Sequence, residues 1–150
     1  MSHTTKIEGV SIKNEKAIRK AVENLKAKGI NISLKENATP RMYYDAQERE
    51  VGKCEYVLHL PDAKYDVGLK KQADGSYTPI YDEYMGSVGK QIGGACKIPK
   101  TDEEKSLWGI GQFSQEYAKE AATMAAEAEG WYIQDTTMDE DGNVHLVLTQ

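Results

Sequence analysis

A chain of 150 residues, 39% hydrophobic and 29% charged, has the size and apolar content of one ordinary domain with its own core, which excludes global disorder. Its formal net charge of −5, from 19 Lys and Arg against 24 Asp and Glu, argues against a domain built mainly to grip phosphate backbones, which needs a basic surplus. The two cysteines, Cys54 and Cys96, lie far apart and outside any Cys-x-x-Cys or His/Cys cluster. Neither a disulfide framework nor a structural zinc site is expected, and two free thiols suit a reducing compartment.

The opening Met1-Ser2-His3-Thr4-Thr5-Lys6 lacks the apolar core of a signal peptide. No run approaches about 18 apolar residues, so no membrane-spanning helix is expected and the localisation read here is cytoplasmic. Ile7, Val10 and Ile12 predict a short first strand. Asn14 is placed as the N-cap of a helix whose Ile18, Ala21, Val22 and Leu25 form one apolar stripe, and Gly29 closes it. Ile30, Ile32 and Leu34 alternate with polar residues as a half-buried strand, which Asn37-Ala38-Thr39-Pro40 interrupts. Arg41-Met42-Tyr43-Tyr44 reads as a short extended segment, and Asp45 to Lys53 as a loop.

Three strands follow in succession. Tyr56, Leu58 and Leu60 alternate, Pro61 to Lys64 turn the chain, and Tyr65, Val67 and Leu69 alternate again. Asp74-Gly75 marks a hairpin, with Tyr77 to Tyr84 as its return strand. Pro79 confines that strand to an edge or a bulge, because proline cannot donate to a ladder. Gly86 to Pro99 reads as a glycine-rich loop holding a short helix around Val88 and Ile92.

Thr101-Asp102-Glu103-Glu104 has the form of a capping box. Leu107, Ile110, Phe113, Tyr117, Ala121, Met124 and Ala128 then recur at steps of three and four, the face of a long helix that Gly130 stops. Gly109 and Gly111 each weaken its first third by about 1 kcal/mol relative to Ala, so it should start late or bend. Its alanines, among them Ala118, Ala122 and Ala126, suit close approach to a sheet. A final hairpin pairs Trp131–Met138 with Val144–Leu148 through Asp141-Gly142-Asn143. Val144, Leu146 and Leu148 face one way, His145 and Val147 the other.

The sum is a single α+β domain over residues 1–150, in the order β-α-β-β-β-β-α-β-β. The expected architecture is one largely antiparallel sheet of about six or seven strands, with two main helices packed on one face. The opposite face would then be open for recognition.

Motifs for chemistry are few. Gly86-Ser87-Val88-Gly89-Lys90 puts two residues between its glycines where a phosphate loop has four, and Gln91 stands where that loop has Ser or Thr. Asp139-Glu140-Asp141-Gly142 would place the bidentate glutamate of a calcium loop at Gln150. His3, His59 and His145 are scattered, and a base role needs folding to set one beside a carboxylate such as Asp66. No nucleophile turn surrounds a Ser-His-Asp or Cys-His order. No catalytic residue, metal ligand or cofactor is therefore assigned.

Nine tyrosines stand against one phenylalanine. Tyr43, Tyr44, Tyr65, Tyr77, Tyr81 and Tyr84 fall on the middle strands, with Arg41 and Asp66 among them. Tyrosine and arginine are favoured at binding surfaces, although tyrosine is also simply a good strand former. The candidate ligand- or partner-binding residues are Arg41, Tyr43, Tyr44, Tyr65, Asp66, Tyr77, Tyr81 and, on the long helix, Trp108.

Met1-Ser2-His3, Arg41-x-Tyr43, Tyr65-Asp66-Val67-Gly68, Gly75-Ser76-Tyr77, Glu129-Gly130-Trp131 and Asp141-Gly142-Asn143-Val144 resemble an uncharacterised family of small proteins. These are hypothetical reading frames of algal plastids and cyanobacteria, with bacteriophage relatives. The likeness spans nearly the whole chain, which departs by longer 41–56 and 86–106 segments and by lacking tryptophans after Tyr77. It implies a single intracellular domain and a phage origin, and carries no activity.

The functional expectation is a non-enzymatic accessory or regulatory domain that recognises a host or viral protein through a tyrosine-rich sheet face. The alternative is a small-molecule or nucleotide-binding domain with a pocket between the long helix and the sheet, near Trp108, Arg41 and Tyr65. Behind both stands an enzyme with Asp66 and His59 as an acid/base pair. Neither a membrane nor a nucleic-acid partner is expected. A homodimer through the Tyr77–Tyr84 edge is conceivable only over a short length, because of Pro79.

Overall fold

A computed structural model describes residues 2–7, 11–43, 49–82, 84–94, 109–138 and 144–150. In order these form β1 (Ser2–Ile7), α1 (Glu15–Ala27), β2 (Ser33–Ala38), β3 (Cys54–His59), β4 (Val67–Lys71) and β5 (Tyr77–Tyr81). A 3-10 turn (Tyr84–Gly86), α2 (Ser87–Ile92), α3 (Gly111–Ala128), β6 (Tyr132–Met138) and β7 (Val144–Thr149) follow. Every ladder is antiparallel, and the class is α+β.

The strands divide between two sheets, where one was expected. One has the order β2-β3-β4-β5, the other β1-β7-β6. The division follows from α3, which carries two apolar stripes. Phe113 and Tyr117 pack with Ile18 and Leu25 of α1 and with Leu58, Val67 and Leu69 of the four-stranded sheet. Ala118, Ala122 and Ala126 turn to Val144, Leu146 and Leu148 of β7. A helix apolar on two sides separates two sheets, and its alanines let the second approach closely. Both α1 and α3 still lie on one face of the four-stranded sheet.

Local chemistry explains the ends. Asn14 Oδ1 accepts the Ala17 amide at 3.1 Å and starts α1. Helix α3 runs over Gly111–Ala128, behind a turn at 109–110 that holds the first of its two glycines. The capping box at Thr101–Glu104, Leu107, Trp108, Cys96 and the Asp141–Asn143 turn lie outside the described residues, as do Val10 and Tyr44. The first strand is Ser2–Ile7, which holds the threonines and Ile7 of the expected strand, while Ile12 enters the core. Residues 49–51 are helical where a loop was expected. Strand β5 ends at Tyr81, short of Tyr84, where its partner β4 begins at Val67, and Met85 (φ 60°) and Gly86 (φ 63°) take left-handed backbone in the turn beyond. It is an edge strand, as Pro79 requires.

The face of the four-stranded sheet turned away from the helices is not open at its centre. Two described parts of the connection between β2 and β3, at Pro40 and at Val51, lie against it. Val57 is 1% exposed there. A Cβ on Gly68 would lie 2.7 Å from Cys54 Sγ and 3.0 Å from Pro40 Cγ. Lys70 Nζ donates to the Val51 carbonyl at 2.6 Å. No helix among the described residues is long and apolar enough to cross a membrane.

Candidate functional site

Among the described residues, Tyr65 and Tyr77 of the middle strands are buried rather than on a surface. In the register β4/β5, Val67 opposes Tyr81 and Lys71 opposes Tyr77, which puts both tyrosines on the helix-facing side with Leu58 and Val67. Tyr77 and Tyr65 are 5% and 7% exposed, within the same core as Phe113 and Tyr117. Tyr81 packs on that core, and its hydroxyl would lie 2.2 Å from a Cβ at Gly109. Of the expected recognition face, Tyr65 and Tyr77 are thus interior, and Tyr81 is partly buried against them. Tyrosine served there as apolar area with a polar tip. Tyr77, for instance, donates to Glu15 at 2.8 Å, and burial with that carboxylate pushes its hydroxyl up to about 12. Tyr44 and Trp108 lie outside the described residues.

Arg41 and Asp66 do come together, with His59, at one corner of the sheet's other face. Asp66 precedes β4 and is almost sealed, its side chain 3% exposed. Its Oδ2 accepts the Arg41 amide at 3.0 Å. Its Oδ1 accepts Arg41 Nε at 3.0 Å, Arg41 Nη2 at 2.9 Å and the Leu60 amide at 3.3 Å. The Asp66 amide returns to the Arg41 carbonyl at 3.1 Å. Arg41 Nη2 also reaches the carbonyls of Leu60 and Ala63, at 2.8 and 3.1 Å, and ties down the turn between β3 and β4. Burial works to raise the Asp66 carboxyl. The hydrogen bonds from the Arg41 side chain and backbone, and from His59, outweigh it and hold the group below its usual range.

His59 closes β3, and its Nδ1 lies 2.9 Å from Asp66 Oδ1. A carboxylate on Nδ1 fixes the proton there in the neutral ring and leaves Nε2 as the basic nitrogen. The His59 side chain is 23% exposed and that of Arg41 39%. Among the described residues neither His59 Nε2 nor Arg41 Nη1 has a hydrogen-bond partner. Tyr43, two residues beyond Arg41 in the chain, is 37% exposed, edge-on to Tyr65 at 6.2 Å, with its amide on Asp82 Oδ2 at 3.2 Å. Ser33 is the cross-strand partner of His59, half-buried on β2.

The corner therefore holds a buried anion, a guanidinium anchored by one edge and an imidazole of fixed tautomer. The pairing of His59 with Asp66 is the condition the sequence set for a histidine base. Ser33 was not singled out by the sequence. Only the β2/β3 register, with Leu34 against Leu58 on the core side, places it beside His59. Among the described residues no three His, Cys, Asp or Glu side chains gather as a metal site. A scan against protein-family models, a search of curated proteins and a search of solved structures each find no match to this chain.

Proposed function

We propose that the protein is a binding domain whose recognition site is the corner where Arg41, His59 and Asp66 meet. Its ligand is a small molecule carrying a carboxylate, phosphate or carbonyl oxygen. One observation carries this reading: Asp66 anchors Arg41 by Nε and Nη2 and His59 by Nδ1, in side chains that are still partly exposed, and so leaves Nη1 and Nε2 for a ligand. A guanidinium held by one edge offers its remaining donors to an oxyanion without loss of side-chain entropy on binding. The site differs from the pocket expected beside Trp108, because it lies on the sheet face away from α3.

Thermal-shift titration with acetate, citrate, inorganic phosphate and adenosine monophosphate tests it. A ligand at 100 times its dissociation constant adds about 2.7 kcal/mol of stability. The shift should vanish in Arg41→Lys and His59→Ala variants that remain folded. A flat response of the wild type to all four removes the reading.

A second reading keeps the protein partner and moves its surface. Tyr132 on β6, an edge of the three-stranded sheet, is 72% exposed, and its cross-strand partner is Thr149. An accessory domain acting on a host or viral protein, in the host cytoplasm if phage-encoded as the family resemblance implies, would use that aromatic anchor. Capture of one partner that Tyr132→Ala abolishes and Tyr43→Ala preserves supports it. Capture indifferent to Tyr132 removes it.

A further inference from the structure

We propose that the same corner is an esterase centre in which Ser33 is the nucleophile, His59 its general base and Asp66 the positioning residue. The inference rests on reading this corner as a ligand site. Three adjacent strands contribute one group each, in the lateral order Ser33 on β2, His59 on β3 and Asp66 at the entry to β4. With Nδ1 facing Asp66 at the entry to β4, imidazole geometry puts Nε2 on the far side of the ring from it. Ser33 is the cross-strand partner of His59. Such partners hold their Cβ atoms about 4.5–5.5 Å apart, so one χ1 rotation brings a serine hydroxyl to an imidazole nitrogen that points its way. Catalytic hydrogen bonds of this kind tighten only once substrate is bound.

Exposure is graded as the chemistry needs. Asp66 is sealed, His59 is partly open and Ser33 is half-buried. Strand β2 is an edge, so alternate amides along it face outward, and Arg41 Nη1 adds a charged donor at the same corner. The substrate class is a small carboxylic ester whose acyl oxygen these donors can meet. Ser33 Oγ passes its proton to His59 Nε2 and bonds to the acyl carbon. The carbon–oxygen bond to the leaving alcohol breaks, and that oxygen takes the proton from Nε2. Water then attacks the acyl-serine and gives its proton to Nε2, which returns it to Ser33 Oγ as the carboxylic acid leaves. Neither a redox partner nor a further co-reactant is required.

The test uses the full chain and p-nitrophenyl acetate, with peptide mass spectrometry to locate any acetyl group. The expected result is an initial burst and an acetyl group on Ser33. Turnover should fall by about 100-fold or more in Ser33→Ala and in His59→Gln, and rise with pH along a limb that His59→Gln abolishes. Turnover lost in His59→Gln but unchanged in Ser33→Ala would be bare imidazole catalysis and overturns the assignment. So does a wild type that neither turns over the ester nor carries acetyl on Ser33. The ligand-binding reading is judged separately, since Ser33→Ala should keep the thermal shift produced by acetate or phosphate.

Discussion

The Tyr117 phenol closes a gap that the chain cannot close locally. Its oxygen accepts the amides of Lys13 and Asn14, at 2.8 and 2.9 Å, and donates to the Ser11 carbonyl at 3.3 Å. The approach to α1 thus finds its backbone partners on α3. Tyr117→Phe fills the same volume but strands two amides, at a cost of about 1–3 kcal/mol in a urea titration, well above the few tenths of a surface change. Glu116, one residue earlier, is 2% exposed and binds Asn24, Lys28 and Lys119. Burial works to raise its carboxyl, and the hydrogen bonds from Lys119 and Lys28 outweigh it and lower it. Asp66 is lowered likewise. Both folded values lie below the unfolded ones, about 3.9 for Asp and 4.3 for Glu, so their stabilisation is complete above that range and is lost as pH falls through the folded values. The urea midpoint should drop steeply below about pH 4. Glu116→Gln removes the buried charge and leaves two lysines that reach water, so it should lower the neutral-pH plateau by about 1–2 kcal/mol and make the acid decline shallower.

At the scale of elements, what the sequence made legible was whatever a single strand or helix repeats along itself. The stripe Ile18, Ala21, Val22 and Leu25 and the alternation Tyr56, Leu58, Leu60 both end in one core. Asn14 caps and Pro79 lies on an edge for reasons each residue carries alone. The path of residues 39–43 over the outer face was not legible, because nothing periodic marks a segment that covers a sheet. The site shares this difficulty. Arg41 and Asp66 were singled out for their residue types, but that Asp66 is sealed by Arg41, and that Ser33 faces His59, depends on register. The tyrosines misled because the same ring suits an exposed strand and a core with a polar rim. Gly109 shows how tight that core is. A Cβ there would lie 2.2 Å from Tyr81 Oη and 2.9 Å from its Cζ. Gly109→Ala should cost about 1–3 kcal/mol by overpacking. The cost should shrink in a Tyr81→Leu background, and a double-mutant cycle over four urea curves measures the difference.

Across the whole molecule, α3 is the element both sheets depend on, and they depend on it unequally. The side toward α1 and the four-stranded sheet presents Phe113 and Tyr117, fully buried, backed by Leu58, Leu60 and Leu69. The side toward β1-β7-β6 presents alanines against Val144, Leu146 and Leu148. Apolar area removed from water scales with side-chain size, at about 25 cal/mol per Å². An alanine stripe therefore holds its sheet less firmly than an aromatic one. Strand β1 must also return from the far end of the chain to pair with β7, with Ser2 against Thr149 and Ile7 against Val144, a closure whose entropic cost grows with loop length. The three-stranded sheet should consequently open as a unit below the free energy of global unfolding. Native-state hydrogen exchange reads this directly: amides of β6 and β7 should exchange by subglobal opening, while those of β3 and β4 wait for complete unfolding. Ala122→Leu sharpens the comparison, since a larger side chain in that close-packed interface costs about 1–3 kcal/mol. It should lower protection in β6 and β7 and leave the exchange order of β3 and β4, and with it the corner at His59, unchanged. Equal loss of protection in both sheets would mean that α3 couples them into one cooperative unit.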